Sequence, residues 1–400
     1  MSTDAMSTNA RPGKSQTFSW FVFGLMASVT FVGILSELVP SGVLPQMTEG
    51  LGVSESRVGL LVGVYALASA ICAIPLVSAT LAVNRKKLLM ALLIGFAASN
   101  IVVAISSSYA VIIAARILGG ICAGVMWPMI AAYGSRLVPE NMQGKAITVI
   151  MSGNTLGIAV GLPVMTTIGI TFGWRTEFMV LGLIVAAIAV LSHFYLPSVE
   201  GEKLTKGNSP LAMLKNSGIL IILLLTFLSV AAHYGAYTYI TLIVELINFA
   251  GGISLALLIF GIGSVISVVL AAKYIDAHLR ALIVWSLVAG GVSMAMLLAF
   301  RGAVGISHVA FFLWGLAFGP LVTMYQTAVS KQVEEGKGVA TSVQSSVFNF
   351  SIMIASGMGG ALLTEFPGRP GARSIVYLAL ICFVAAAVIA FFAKRTLRSS

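Results

Sequence analysis

The chain has 400 residues, 58% of them hydrophobic and only 9% charged, and its mean hydropathy is +1.02. A water-soluble globular chain carries about 25% charge, so this composition excludes a soluble enzyme and describes a polytopic membrane protein. The formal net charge of +10 is then a matter of where the cations lie, and a nucleic-acid role is excluded with it.

Residues 1–17 are polar and read as a disordered cytoplasmic N-terminus. An apolar run over 18–40 follows without a small-residue cleavage site, so it reads as an uncleaved first span. Further runs lie at 57–82, 86–106, 109–134, 143–170, 175–196, 216–247, 253–275, 281–301, 304–330, 337–364 and 371–393. Each is long enough to cross about 30 Å of hydrocarbon as a helix, which makes twelve spans. The polar stretch 197–215 reads as a solvated cytoplasmic linker between a six-helix unit over 18–196 and a second over 216–393, and 394–400 is a short cytoplasmic tail. Assigning the loops alternately to the two faces gives one face 17 of the 23 Lys and Arg residues and the other 5, with Arg116 left inside a span. Both termini therefore belong on the cytoplasmic side.

Cys72, Cys122 and Cys382 lie in apolar runs without paired spacing, which points to neither a disulfide frame nor a zinc site. His193, His233, His278 and His308 fall on different segments, so no metal, cofactor or enzymatic constellation is expected.

The chain also repeats itself. An offset of 195 residues brings Arg85 onto Arg280, Ser69 onto Ser264, Gly120 onto Gly315, Gly124 onto Gly319, Ser135 onto Ser330, Arg136 onto Lys331 and Asn154 onto Asn349. One register held across four spans predicts an all-α membrane protein of two six-helix bundles related by a pseudo-two-fold axis, which is the architecture of an alternating-access carrier.

Charge inside the membrane costs at least about 2.5–3.5 kcal/mol, so ionisable groups there are paired, wet or functional. Glu37, late in the first span, and Arg116, early in the fourth, stand at comparable depth and can pair; Glu245 is a weaker candidate near a span end. A carboxylate beside a fixed guanidinium stays ionised, whereas one in an apolar cavity holds its proton, and switching between the two loads and releases a proton. The competing readings are a permanent structural ion pair, or a glutamate kept wet at the headgroups by the break at Pro40.

In the fifth span Gly153, Gly157 and Gly161 share a helix face, with Pro163 two residues on, which permits close packing and a bend. In the seventh, His233, Tyr234 and Tyr237 present rings with polar ends suited to a sugar, a base or a drug. Trp127, Asn154, Trp314, Gln344 and Asn349 are further candidates for the cavity lining, each weighed against simple packing. The turn ATLAVNRKK carries Arg85, with Asn84 suited to a left-handed turn, and its repeat partner KYIDAHLR places Asp276 opposite Leu81 as a clamp between helices.

These residues resemble the major facilitator superfamily, and within it the twelve-helix drug:proton antiporter branch that includes bacterial sugar, arabinose and purine ribonucleoside efflux carriers. RILGGICAG, from Arg116, matches the fourth-helix Arg-x-x-x-Gly pattern that the family associates with proton transfer. GNTLGIAVGLP is similar to the fifth-helix antiporter motif, with the usual Gly-Pro pair interrupted by Leu162. SELVPSGVLP and AHYGAYTYI resemble the first and seventh helices of the sugar exporters, and GWRTEF a common sixth-helix entry. VSATLAVNRKK departs from the family's loop motif by carrying Leu81 where an acid is usual. The resemblance implies a bacterial inner-membrane protein, active as a monomer in the lipid bilayer. It implies proton-coupled export of a small organic solute such as a sugar, nucleoside or drug, with the proton gradient as energy source. Glu37 would then be the protonatable group and Arg116 its modulator. Uptake by symport, or a receptor without turnover, are the alternatives.

Overall fold

The computed structural model describes residues 19–139, 143–201, 215–300, 303–333, 337–394 and 396–397. The expected N-terminal segment, most of the linker, the end of the C-terminal tail and the side chain of Asp276 lie outside the described residues. Every described element is helical, and twelve helices are long and apolar enough to cross a membrane.

Chemistry at the breaks between and within helices shapes the spans. The first helix, Trp20–Gly42, is capped by Ser19 and runs straight through Pro40, beyond the expected end at 40. A short helix Leu44–Leu51 follows and stops at Gly52, whose φ of +62° suits glycine. The second span, Glu55–Thr80, and the third, Arg85–Ile105, are joined by a turn in which Asn84 is extended rather than left-handed (φ −52°, ψ 127°). Its side-chain oxygen accepts from the N–H groups of Lys86 and Lys87, so the residue is spent as a helix cap. The fifth span is Gln143–Leu156, then one wide π-type turn over Gly157–Gly161, then Leu162–Phe172. Pro163 can give no N–H to the preceding turn, and the wide turn absorbs the mismatch.

The seventh span is shorter than its apolar run of 216–247: helix Ser217–Tyr237 breaks at Thr238 and Tyr239 before Ile240–Leu246. The break is polar and bonded. Thr238 Oγ1 lies 3.2 Å from Ser356 Oγ, and the Tyr239 hydroxyl donates to the Ser356 carbonyl at 2.8 Å. The eighth and ninth spans form Gly252–Ala299 with only His278 non-helical at the joint. The tenth breaks at Gly319 and Pro320, between Val304–Phe318 and Leu321–Ser330, while the eleventh is Lys337–Glu365 and the twelfth Arg369–Phe392.

The packing is duplicated. The first span lies on the fifth, the second on the fourth and the third on the fourth and sixth; likewise the seventh lies on the eleventh, the eighth on the tenth and the ninth on the tenth and twelfth. The repeat extends to single atoms. A Cβ on Gly120 would strike the Tyr65 carbonyl and one on Gly315 the Phe260 carbonyl; Gly124 and Gly319 stand the same way against the carbonyls of Ser69 and Ser264. Each pair is 195 residues from its counterpart, so both bundles use glycine to bring two backbones into contact.

The bundles touch along the second span with the eleventh and the fifth with the eighth, the pairing a two-fold axis requires. These contacts gather at the face opposite the chain ends. Ser56 packs on Gly360, Tyr239 fills the slot left by Gly59, and the Thr167 hydroxyl donates to Ser254 Oγ at 2.9 Å. The two halves are thus closed on each other at the face remote from both ends of the described chain.

Candidate functional site

Arg116 sits one turn before the glycine pair Gly119–Gly120, which draws the fourth span onto the second. Its side chain is 1% exposed, so every N–H needs an acceptor. The sequence leads one to expect the Glu37 carboxylate as partner, and the structure differs: the guanidinium is spent on backbone. Nε donates to the Leu61 carbonyl at 3.2 Å, Nη2 to the Glu37 carbonyl at 3.0 Å and Nη1 to the Ser36 carbonyl, with the Tyr65 ring 4.3 Å from the guanidinium carbon. The Ser36 acceptor has a specific origin. It is the carbonyl four residues before Pro40, which has no N–H to give it. Arg116 therefore closes the gap that proline opens in the first span. Asn100 completes the strap by donating to Ser36 Oγ at 3.0 Å.

The Glu37 carboxyl is left free for another partner. It is 6% exposed and accepts from the Tyr234 hydroxyl at 3.3 Å, a hydrogen bond from the seventh span that crosses between the two bundles. The surroundings of this carboxyl thus come from both halves: Arg116 and Tyr65 lie on its own side, Tyr234 on the other.

Tyr234 joins an aromatic cluster that the seventh span builds with the eighth and tenth. Trp314 Nε1 donates to His233 Nδ1 at 3.0 Å, and the His233 ring stacks on Phe318 with centroids 3.5 Å apart and planes 10° from parallel. Tyr237 packs on His233, Phe260 and Trp314, and its buried hydroxyl has no protein partner. His233, Tyr237 and Trp314 are all buried inside the second bundle, while Tyr234 reaches out of it. The other proposed lining residues are dispersed. Trp127 is half-buried beside Gly33, Asn154 is half-buried on the fifth span, and Asn349 is half-buried with its amide donating to the Ser345 carbonyl of its own helix. Gln344 is fully buried, and neither its amide nitrogen nor its oxygen has a protein partner. Glu245 is exposed.

The three glycines of the fifth span face the first. Gly153 stands against the Ala27 carbonyl and Thr30, Gly157 against Ile34 and Phe31, and Gly161 against Phe31 and Leu35, with Pro163 buried just beyond. They hold the fifth span on the helix that carries Glu37. Arg85 is buried at the opposite end of the bundle from Glu37 and donates to the Leu81 carbonyl at 2.8 Å. Its neighbourhood is covered by the start of the expected linker: Arg85 N–H donates to the Val199 carbonyl, Asn84 to Ser198 and Glu200, and Arg136 to the Glu200 carbonyl. Residues 197–201 are therefore strapped to the first bundle, with Pro197, Ser198 and Glu200 still exposed.

Three participants escape sequence reading. Tyr65 and Asn100 carry no charge and are set apart only by what they touch. Glu177 is ionisable, three residues into the sixth span in GWRTEF, and its position inside an apolar run was the available signal; it is completely buried.

A family model described as Major Facilitator Superfamily matches residues 26–356. A probable sugar efflux transporter of Mannheimia succiniciproducens is 30% identical over 345 residues, 85% of each chain. A chloramphenicol efflux pump of Mycobacterium tuberculosis is 27% identical over 373 residues, 90% of this chain and 89% of the pump. Among solved structures, the nucleoside transporter NupG superposes with a TM-score of 0.71 at 12% identity over 94% of this chain and all of that one. A POT family transporter in complex with 5-aminolevulinic acid gives 0.77 at 12% identity over 96% and 99%. At such identities these two speak for the fold alone.

Proposed function

Because this chain belongs to the Major Facilitator Superfamily and is a multi-pass membrane transporter of small solutes, we propose that it exports a small organic solute in exchange for protons. On this reading the chain ends face the cytoplasm, in keeping with the basic bias of their side, and the closed face is the outer one. The observation that carries the proposal is the hydrogen bond from Tyr234 to Glu37. It ties the one buried carboxyl of the first span to the opposite bundle, so closing and opening the outer face makes and breaks a contact to the group that would hold the proton. With Tyr234 engaged, Glu37 is shut off from water. With the bundles apart at the outer face, water reaches the carboxyl, which can then exchange a proton.

Export, and a substrate among sugars, nucleosides and amphenicol-like drugs, is supported by the two efflux relatives, and Tyr234 is the ring that reaches between the bundles to meet it. The test uses proteoliposomes with an internal pH dye and a panel of sugars, purine nucleosides and chloramphenicol, wild type beside Glu37→Gln at matched incorporation. Proton movement opposite to one solute in the wild type, abolished in Glu37→Gln, is the expected result. Movement in the same direction as the solute would make the protein a symporter. Unchanged coupling in the variant would remove Glu37 from the mechanism.

A further inference from the structure

Glu177 is 0% exposed, and neither carboxyl oxygen has a hydrogen-bond partner. Its place in the first turn of the sixth span would ordinarily be explained by the helix start, whose free N–H groups favour an acid. That explanation fails here. The N–H groups of Thr176 and Glu177 donate to the Gly173 carbonyl, and the carboxyl is turned instead onto the fifth span, where Oε2 lies against Gly169 in the space a Cβ would fill. Nor is a cation at hand: the adjacent Arg175 donates to the Ser106 carbonyl at 3.2 Å and stacks over Trp174. Gly169 of the fifth span and Val43 at the end of the first stand beside this carboxyl, and the third span packs on the sixth through Ile101 at Gly182; none of the three is charged.

Two more orphan groups lie between this carboxyl and Glu37. Thr166, one turn before Gly169 on the same helix, has a buried hydroxyl without a partner, and that oxygen stands where a Cβ on Gly42 would be. Ser41, next to Gly42 and one turn beyond Glu37, is likewise buried with an unpartnered hydroxyl. An orphaned buried polar group costs about 1–3 kcal/mol, and three in succession call for bound water or a transferable proton. The gate lies alongside: Thr167, next to Thr166, makes the Thr167–Ser254 contact that closes the outer face.

We propose that Glu177 is the outer proton-relay carboxyl of this transporter, handing a proton to Glu37 through Thr166, Ser41 and intervening water. This rests on the proton-coupled reading of Glu37. When the fifth and eighth spans part, the Glu177 carboxylate gains a proton from the outer solution. In the transfer its O–H bond breaks and one forms on the Glu37 carboxylate. Each hydroxyl between accepts one proton and releases another, so charge and atoms balance without a co-reactant.

The experiment measures proton-coupled transport in proteoliposomes at fixed internal pH while the outer pH is varied. Wild type accelerates as the outer side is acidified. Glu177→Gln, which keeps the shape of the side chain, is expected to lose that dependence while its substrate affinity stays as in wild type. Glu177→Asp is expected to restore part of the dependence, and Thr166→Val to weaken it without touching either carboxyl. A merely structural role predicts a uniformly slower protein with the wild-type outer-pH profile. That profile in Glu177→Gln, beside a wild type that moves protons, overturns the relay and leaves Glu37 in place. A wild type that moves no protons overturns both readings.

Discussion

Arg116 and Pro40 are chemically one unit. The proline removes the N–H that would satisfy the Ser36 carbonyl, and the guanidinium supplies a donor from another helix. Truncating Arg116 to Ala leaves the Ser36, Glu37 and Leu61 carbonyls short of a donor, at about 1–3 kcal/mol for each that becomes orphaned. Pro40→Ala returns a backbone N–H to Ser36. The double variant should therefore be less destabilised than the sum of the two singles, by roughly 0.5–3 kcal/mol of coupling. Thermal denaturation in detergent of all four proteins measures this, and strict additivity would show that the two residues act separately. The sequence singles out Glu37 and Arg116 because each is a charge in an apolar run. It does not reveal that the arginine binds main chain and the glutamate binds Tyr234, because the choice of acceptor depends on helix rotation and on a proline's missing hydrogen.

The fifth span owes its position to bare glycines. At Gly153 an added methyl meets a backbone oxygen, Ala27 O, which cannot yield without moving the first span; at Gly157 it meets first the Ile34 side chain, which can turn. Gly153→Ala should cost about 1–3 kcal/mol of stability and Gly157→Ala distinctly less. Melting curves of the two purified variants decide this, and equal losses would mean that backbone contact is not what sets the cost. At this scale much was legible. Twelve apolar runs become twelve candidate membrane spans among the described residues, and the 195-residue register reappears as matching glycine–carbonyl contacts. The seventh run hides its break because Thr238 and Tyr239 find partners on Ser356, so hydropathy stays high across a helix end. The wide turn at Gly157–Gly161 is hidden for a related reason: glycine spacing alone does not report how many residues the turn contains.

For the whole molecule, the closed face remote from the chain ends, which is the outer one in the proposed orientation, is one stage of the proposed cycle. Thr167 and Ser254, at hydrogen-bond distance across the bundles, give a direct handle. With Cys72, Cys122 and Cys382 replaced by alanine, a Thr167→Cys/Ser254→Cys pair should cross-link with a short bifunctional reagent and lose transport. With a reducible reagent, activity should return on reduction. Undiminished transport by fully cross-linked protein would show that this contact never opens. Pseudo-symmetry was readable from the repeat, but which face is shut was not, since one sequence has to carry the contacts of both closures. The strap on the first span also bears on how the chain is made. The first span leaves the ribosome with a proline-broken helix and a carboxyl, and the guanidinium that fills the break follows only with the fourth. During synthesis, the segment that carries Glu37 is an incomplete guest in the bilayer until three more helices have arrived. The last of these is drawn against the second by Gly119 and Gly120, so the glycines that pack the finished bundle also set when its earliest helix becomes at home in lipid.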